Sequence, residues 1–129
     1  MSDPGEAQAR AEAARDAMFA NDRVAHELGM VVSAVSPSTA TVDMTVTETM
    51  CNGLDVCHGG VIFSLADAAM AFASNGLGGT HLASDASIDW LAPARVGDRL
   101  TATATESARR GRTGLFQVQV HGPDGVVAI

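Results

Sequence analysis

The hydrophobic pattern changes character three times along the chain. An alanine-rich stretch, PGEAQARAEAARDAMFA, opens behind Asp3-Pro4-Gly5-Glu6. That tetrad has the parts of a helix start: an acid at the N-cap, proline at the first helical position and glutamate at capping-box spacing. Asn21-Asp22 breaks the stretch, and a second short helix to Leu28 is expected to end in a left-handed cap at Gly29. The N-terminal helical segment therefore covers about residues 4–28. From Met30 onward β-branched residues take over, and MVVSAVSP and TATVDMTV around Ser36-Pro37 predict an antiparallel hairpin. Residues 48–58, ETMCNGLDVCH, contain Asn-Gly and no periodicity, and read as a loop.

The next segment, GGVIFSLADAAMAFASN from Gly59 to Asn75, is apolar nearly all round and predicts a helix buried in the core. After GLGGT come three strand candidates, HLASDASIDWLAP, RLTATATESARR and TGLFQVQVHG, and a turn at Gly122-Pro123-Asp124-Gly125 leads into a short last strand, VVAI. One apolar helix followed by long antiparallel strands predicts an α+β fold, a curved antiparallel β-sheet wrapped around a long central helix. At 129 residues this is a single domain over 1–129 with one core.

Composition narrows the chemistry. Hydrophobic residues make up 47% and charged residues 18%, an ordinary globular balance. Ser64, Asp67 and Ser74 break the longest apolar run below the roughly 18 to 20 residues a membrane helix needs. Met1 to Arg15 carries three acids and no apolar centre, so it does not read as a secretory signal and the expected location is cytoplasmic. A net charge of −7 argues against general nucleic-acid binding.

The charge is unevenly spread. Residues 1–94 hold three arginines against twelve acids, whereas residues 95–129 hold five arginines against three acids. Arg95, Arg99, Arg109, Arg110 and Arg112 suit either bidentate contacts to a phosphate-bearing ligand or charge-blunted strand edges. Cys51 and Cys57 match no zinc or redox spacing and read as reduced thiols, so no metal site is expected.

Asp67 is the anomaly in the apolar helix. A buried carboxylate without partners costs several kcal/mol or becomes neutral, so Asp67 either bonds serine or backbone groups, faces a wet edge, or does chemistry. At the helix start, Gly59-Gly60 allows a close turn and leaves first-turn N–H groups pointing outward, a cradle for an anion or oxyanion. Gly59 and Asp67 are eight residues apart, roughly 12 Å along a helix. Groups acting on one carbonyl must lie within about 3 Å of the reacting atoms. If both act, they come from different chains, and a two-fold pairing with the helices antiparallel would supply two equivalent sites.

NGLDVCHGGVIFSLADAAMAFASN, followed by SIDWLAPARVGDRLTATA and preceded by FANDRVAHELGM, resembles the hotdog-fold acyl-CoA thioesterases, most closely the phenylacetic-acid-degradation group called PaaI. The resemblance implies a hotdog fold and hydrolysis of an acyl-CoA, of an aromatic phenylacetyl or hydroxyphenylacetyl type, to free acid and CoA. It implies that Asp67 is the catalytic carboxylate, as general base or nucleophile. The Gly59 N–H would polarise the thioester carbonyl, with His58 beside the substrate and Asn52 orienting the thioester or the attacking water. Phe63, Met70, Phe72 and Trp90 would either line an apolar acyl pocket or serve as plain core, Gly60 would meet the substrate or CoA, and Arg95, Arg110 and Arg112, with Arg109, would meet the CoA phosphates. No cofactor is implied, since CoA is part of the substrate. The implied assembly is a homodimer with shared sites, pairing into a homotetramer.

Members of that family usually carry a longer final strand than VVAI, so the expectation is either a sequence trimmed at this point or a reduced sheet edge. The competing reading is a hotdog domain that binds acyl-CoA without turning it over. A hydratase is disfavoured because no Asp/His pair surrounds His81 or His121, which read as surface or loop residues.

Overall fold

A computed structural model describes residues 3–129, and Met1 and Ser2 lie outside it. The chain runs α1 (Pro4–Asn21), α2 (Arg23–Glu27), β1 (Val31–Ser36), β2 (Thr39–Thr45), a 3-10 turn (Glu48–Met50), α3 (Gly59–Asn75), β3 (Arg99–Arg110), β4 (Thr113–Gly122) and β5 (Gly125–Ala128). The strands form one sheet in the order β1-β2-β3-β4-β5, every pairing antiparallel. Five antiparallel strands packed on the long helix α3 are the expected α+β hotdog arrangement.

Alternation along the strands explains how the helix seats. In β2 and β3, Ala40, Val42 and Met44 pair with Ala104, Ala102 and Leu100, and all six are buried. Three of these six are alanines, and short side chains on the sheet let α3 approach closely enough to exclude water. From the helix, Ile62, Leu65, Ala66, Ala69, Phe72 and Ala73 fill that interface. Phe72 also stands 6.5 Å, centroid to centroid, from Phe19 of α1, which closes one end of the core. No helix among the described residues is long and apolar enough to cross a membrane.

Four expectations are corrected. Asp3 sits at the N-cap of α1 without a side-chain cap bond, although its carboxylate lies near Gly5. Asp22 is the working cap, its carboxylate accepting from the Ala25 N–H of α2 at 3.0 Å. HLASDASIDWLAP does not form a full strand. Only a short piece joins the free edge of β5: Asp89 and Ile129 exchange two backbone bonds of 2.8 and 3.0 Å, and Leu91 donates to Val127 at 2.7 Å. Upstream, residues 80–88 have no ladder partner among the described residues, and Leu82 is 89% exposed.

The third correction concerns α3. Apolar on all sides, it is buried on one side only; Gly60 and Asp67 are exposed on the other, with Phe63, Ser64 and Met70 half-buried. The sheet offers one face to cover, so a single chain cannot bury both sides of the helix. The fourth follows from it: of the two readings of Phe72 the core one holds, since Phe72 is enclosed on the sheet-facing side of α3.

The buried acid is Asp43 on β2, at 7% exposure. Its carboxylate accepts from the Thr101 hydroxyl at 2.6 Å and pairs with Arg99 at 3.2 Å. Burial by itself raises this carboxyl's pKa, but hydrogen bonds from Thr101, Ser33 and Arg99, with the Arg99 charge, outweigh burial and hold it below the ordinary range. The pair locks the register of β2 against β3, where Asp43 and Thr101 are direct partners.

Candidate active site

The loop before α3 is tied by its own backbone. Cys51 and Cys57 face each other across an isolated antiparallel bridge, flanked by Asn52 N–H to Val56 O at 2.9 Å and His58 N–H to Met50 O at 2.7 Å. At the tip, the Asn52 side-chain oxygen accepts from the Leu54 and Val56 N–H groups at 2.9 and 3.4 Å. Both its lone pairs are thereby committed, and the Asn52 amide faces any ligand solely as a donor through Nδ2. It can polarise a carbonyl oxygen; it cannot accept a bond from an attacking water.

His58 is the N-cap of α3. Its Nδ1 accepts from the Gly60 N–H at 3.4 Å, so the neutral ring carries its proton on Nε2 and presents a donor outward. The Val61 and Ile62 N–H groups both bond to the His58 carbonyl, at 2.9 and 3.2 Å. The Gly59 N–H is left as the first-turn donor with no partner among the described residues, at the positive end of a 17-residue helix.

Trp90 explains why residue 59 is glycine. Its indole N–H donates to the Gly59 carbonyl at 3.1 Å. A Cβ built on Gly59 would stand 3.1 Å from two atoms of the indole ring, inside ordinary contact. The close approach favours glycine, since any larger residue requires the indole or the backbone to give by a few tenths of an ångström, and the bond holds the residue whose N–H is free.

Asn52, Gly59, Ile62, Trp90, Leu91 and Pro93 border an open cleft of about 340 Å³. A second hollow of about 390 Å³ lies between α1 and α2, lined by Ala20, Asn21, Arg23, His26 and Glu27. His26 there is already bonded to the Phe19 carbonyl at 2.7 Å, and the hollow lies apart from every residue discussed above.

Asp67 does not reach the first cleft. It is exposed, and among the described residues no side-chain hydrogen bond or ion pair engages it. Ser64, its neighbour one turn back, returns its hydroxyl to the Gly60 carbonyl at 3.0 Å. Asp67 and Gly59 share one rigid helix, about 12 Å apart along its axis. One chain thus brings together Asn52, His58, Gly59 and Trp90, and leaves Asp67, Gly60 and Phe63 on the open face of α3.

The arginines divide. Arg95 is exposed just beyond Pro93, in a turn held by its own N–H to Asp98 at 2.9 Å. Arg110 and Arg112 stand at the β3–β4 hairpin, about 36 Å of strand from the Arg99 end of β3. Arg109 is paired with Glu106 at 2.6 Å. The structure does not bring the hairpin arginines and Arg95 together within one chain.

Cys57 is buried, and its burial with Cys51 alongside pushes its thiol up to about 11. It is protonated at neutral pH and no ready nucleophile. Among the described residues no group of three or more His, Cys, Asp or Glu is placed to hold a metal ion. Sequence reasoning missed the Trp90–Gly59 bond, the capping role of His58 and the Asp43–Arg99–Thr101 group. The His58 cap had a local signal, its place immediately before Gly59. The other two join residues 31 and 58 apart and left none.

Residues 54–129 match the model of the thioesterase superfamily. The acyl-coenzyme A thioesterase PaaI of Escherichia coli K12 is 43% identical over 104 residues, which cover 81% of this chain and 74% of that protein. The solved structure of the E. coli PaaI protein from the phenylacetic acid degradation operon superposes with a TM-score of 0.91 at 39% identity, over 94% of this chain and 88% of that one. The TT0310 protein of Thermus thermophilus superposes with a TM-score of 0.81 at 32% identity, over 84% and 92% of the two chains. With the family model covering more than half of its length, and these relatives sharing both sequence and fold, the chain belongs to the thioesterase superfamily.

Proposed function

We propose that this chain is an acyl-CoA thioesterase of the PaaI type, acting at sites completed between two copies in a homodimer. The observation that carries the reading is the division of α3: Gly59, whose N–H has no partner among the described residues, borders a cleft, while the unbonded Asp67 lies two turns away on a face that one chain leaves uncovered. Antiparallel pairing of two such helices brings Asp67 of one copy to the Gly59 cleft of the other. It also covers the open side of α3, where Phe63 and Met70 are half-buried.

In that arrangement the thioester carbonyl accepts bonds from the Gly59 N–H and the Asn52 amide. Both strengthen as negative charge develops on the oxygen. The Asp67 carboxylate either takes a proton from water as the water adds to the carbonyl carbon, or adds directly to form an anhydride that water then opens. Collapse of the tetrahedral species breaks the C–S bond and expels CoA as thiolate. A thiol with an ordinary pKa near about 8.5 leaves without an acid catalyst, which accords with a site built from one carboxylate and donors alone.

The half-exposed indole of Trp90, with Ile62, Leu91 and Pro93, gives the cleft an apolar wall suited to an aromatic acyl group of phenylacetyl type. Arg95, exposed two residues beyond Pro93 in the chain, is the arginine assigned to a CoA phosphate. Dimers pair further into tetramers.

The test is thiol release from aromatic and aliphatic acyl-CoAs, with wild type beside Asp67→Asn. Release by wild type that the substitution removes, greatest for aromatic esters, supports the reading. Tight acyl-CoA binding by a folded dimer without release would replace it with a binding role.

A further inference from the structure

We propose that Cys51 and Cys57 form a thiol oxidation site, where a reversible disulfide locks the loop carrying Asn52. The two are direct partners in an antiparallel bridge, and the flanking bonds identify its kind. Asn52 N–H to Val56 O and His58 N–H to Met50 O lie on either side, so the cysteines form the non-hydrogen-bonded pair between them. In such a pair the Cα atoms stand about 4.5 Å apart and both side chains leave the ladder on the same side. That spacing is at the short end of the roughly 4.4 to 6.8 Å that disulfides span. The bond is therefore within reach of the loop as it stands, and closing it at the short end of that range tightens the loop around Asn52.

Both thiols are free, Cys51 partly exposed and Cys57 buried, so an external oxidant meets Cys51 first. The oxidant is a low-molecular-weight disulfide such as glutathione disulfide. The Cys51 thiol gives up its proton to solvent, and its sulfur attacks one sulfur of the reagent, forming a mixed disulfide and releasing one thiol. Cys57 then loses its proton, attacks the Cys51 sulfur and expels the second thiol. Two protein thiols are oxidised and one reagent disulfide is reduced to two thiols. The high pKa of Cys57 keeps it inert to reagents in bulk, while its position opposite Cys51 makes the second step intramolecular.

The bridge would close a ring around the Asn52 turn and hold Cys57, whose N–H bonds the Ala94 carbonyl at 2.7 Å and which precedes the cap His58. Asn52 and Gly59 are thereby fixed in a geometry set by the disulfide instead of by substrate.

The test equilibrates the full chain with glutathione and glutathione disulfide at graded ratios. Free thiols, intact mass and peptide maps are read on each sample, together with acyl-CoA hydrolysis followed by loss of thioester absorbance. The hydrolysis readout alone rests on the proposed function. Both thiols are expected to vanish together, with loss of two hydrogen atoms per chain and a mapped Cys51–Cys57 link. Hydrolysis is expected to fall about tenfold or more, and dithiothreitol to restore it. Cys51→Ala should keep wild-type hydrolysis and lose the response. A glutathione adduct on Cys51 that never resolves, a bridge between chains, or a mapped bridge that leaves hydrolysis unchanged would each overturn the proposal. A mapped, reversible bridge in a protein that hydrolyses nothing in either state supports the oxidation site and sinks the thioesterase reading instead.

Discussion

Two inactive variants of this chain are expected to restore each other's activity. Asp67→Asn removes the carboxylate at nearly constant size. Because Asp67 is exposed and unbonded within its own chain, folding stability should hold within about 0.5 kcal/mol. Gly59→Ala places a methyl 3.1 Å from the Cε2 and Nε1 atoms of Trp90, about 0.3 Å inside ordinary contact. Either the indole yields or the backbone at residue 59 moves, and both weaken the Trp90–Gly59 bond and re-aim the free N–H. Loss of one oxyanion donor lowers kcat by about 10² to 10³. Mixed one to one with full subunit exchange, half of the dimers carry one chain of each kind. Each mixed dimer then has one site with both lesions and one with neither, so about a quarter of wild-type activity returns. The assay follows thioester absorbance before and after brief exchange in dilute denaturant. Both residues lie on one rigid helix, and no loop movement can unite them within a chain. A mixture no more active than the average of its parents would refute the shared site.

Trp90→Phe keeps the aromatic wall but removes the N–H donated to Gly59, and is expected to lower kcat several-fold, the effect of a bond contributing about 1 kcal/mol, with KM little changed; steady-state kinetics on one acyl-CoA decide it. Asp43 stabilises the fold where it is ionised: with its folded-state pKa below the ordinary 3.8, its contribution is full above 3.8 and is lost as pH falls below that value and through the lower folded-state one. Urea midpoints measured between neutral and acid pH should therefore converge for wild type and Asp43→Asn at the acid end, and parallel curves would contradict this. Phe72→Ala empties a fully enclosed site between α3, the sheet and Phe19, and should lower unfolding free energy by about 3 to 5 kcal/mol in urea titration.

Much of the fold was legible because its signals are local. The β-branched runs around Ser36-Pro37 form the β1–β2 hairpin, Gly29 takes the left-handed cap with φ 68°, and Gly59 to Asn75 is one helix with the expected bounds. The conflict between Gly59 and Asp67 was legible too, since the rise of a helix sets their separation before any packing is known.

Tertiary structure decided what periodicity cannot. An all-apolar helix does not say which side the sheet will cover, and that choice left Asp67 exposed instead of buried. The strand character of HLASDASIDWLAP could not reveal that β5 offers partners to residues 89–92 alone. The buried acid proved to be Asp43, made tolerable by Thr101 and Arg99, and the residue packed closely against Gly59 proved to be Trp90. Local backbone geometry writes its preferences into neighbouring residues; contacts between distant residues exist only once the chain has closed, and here they decide which groups stand bonded and which stand free to act.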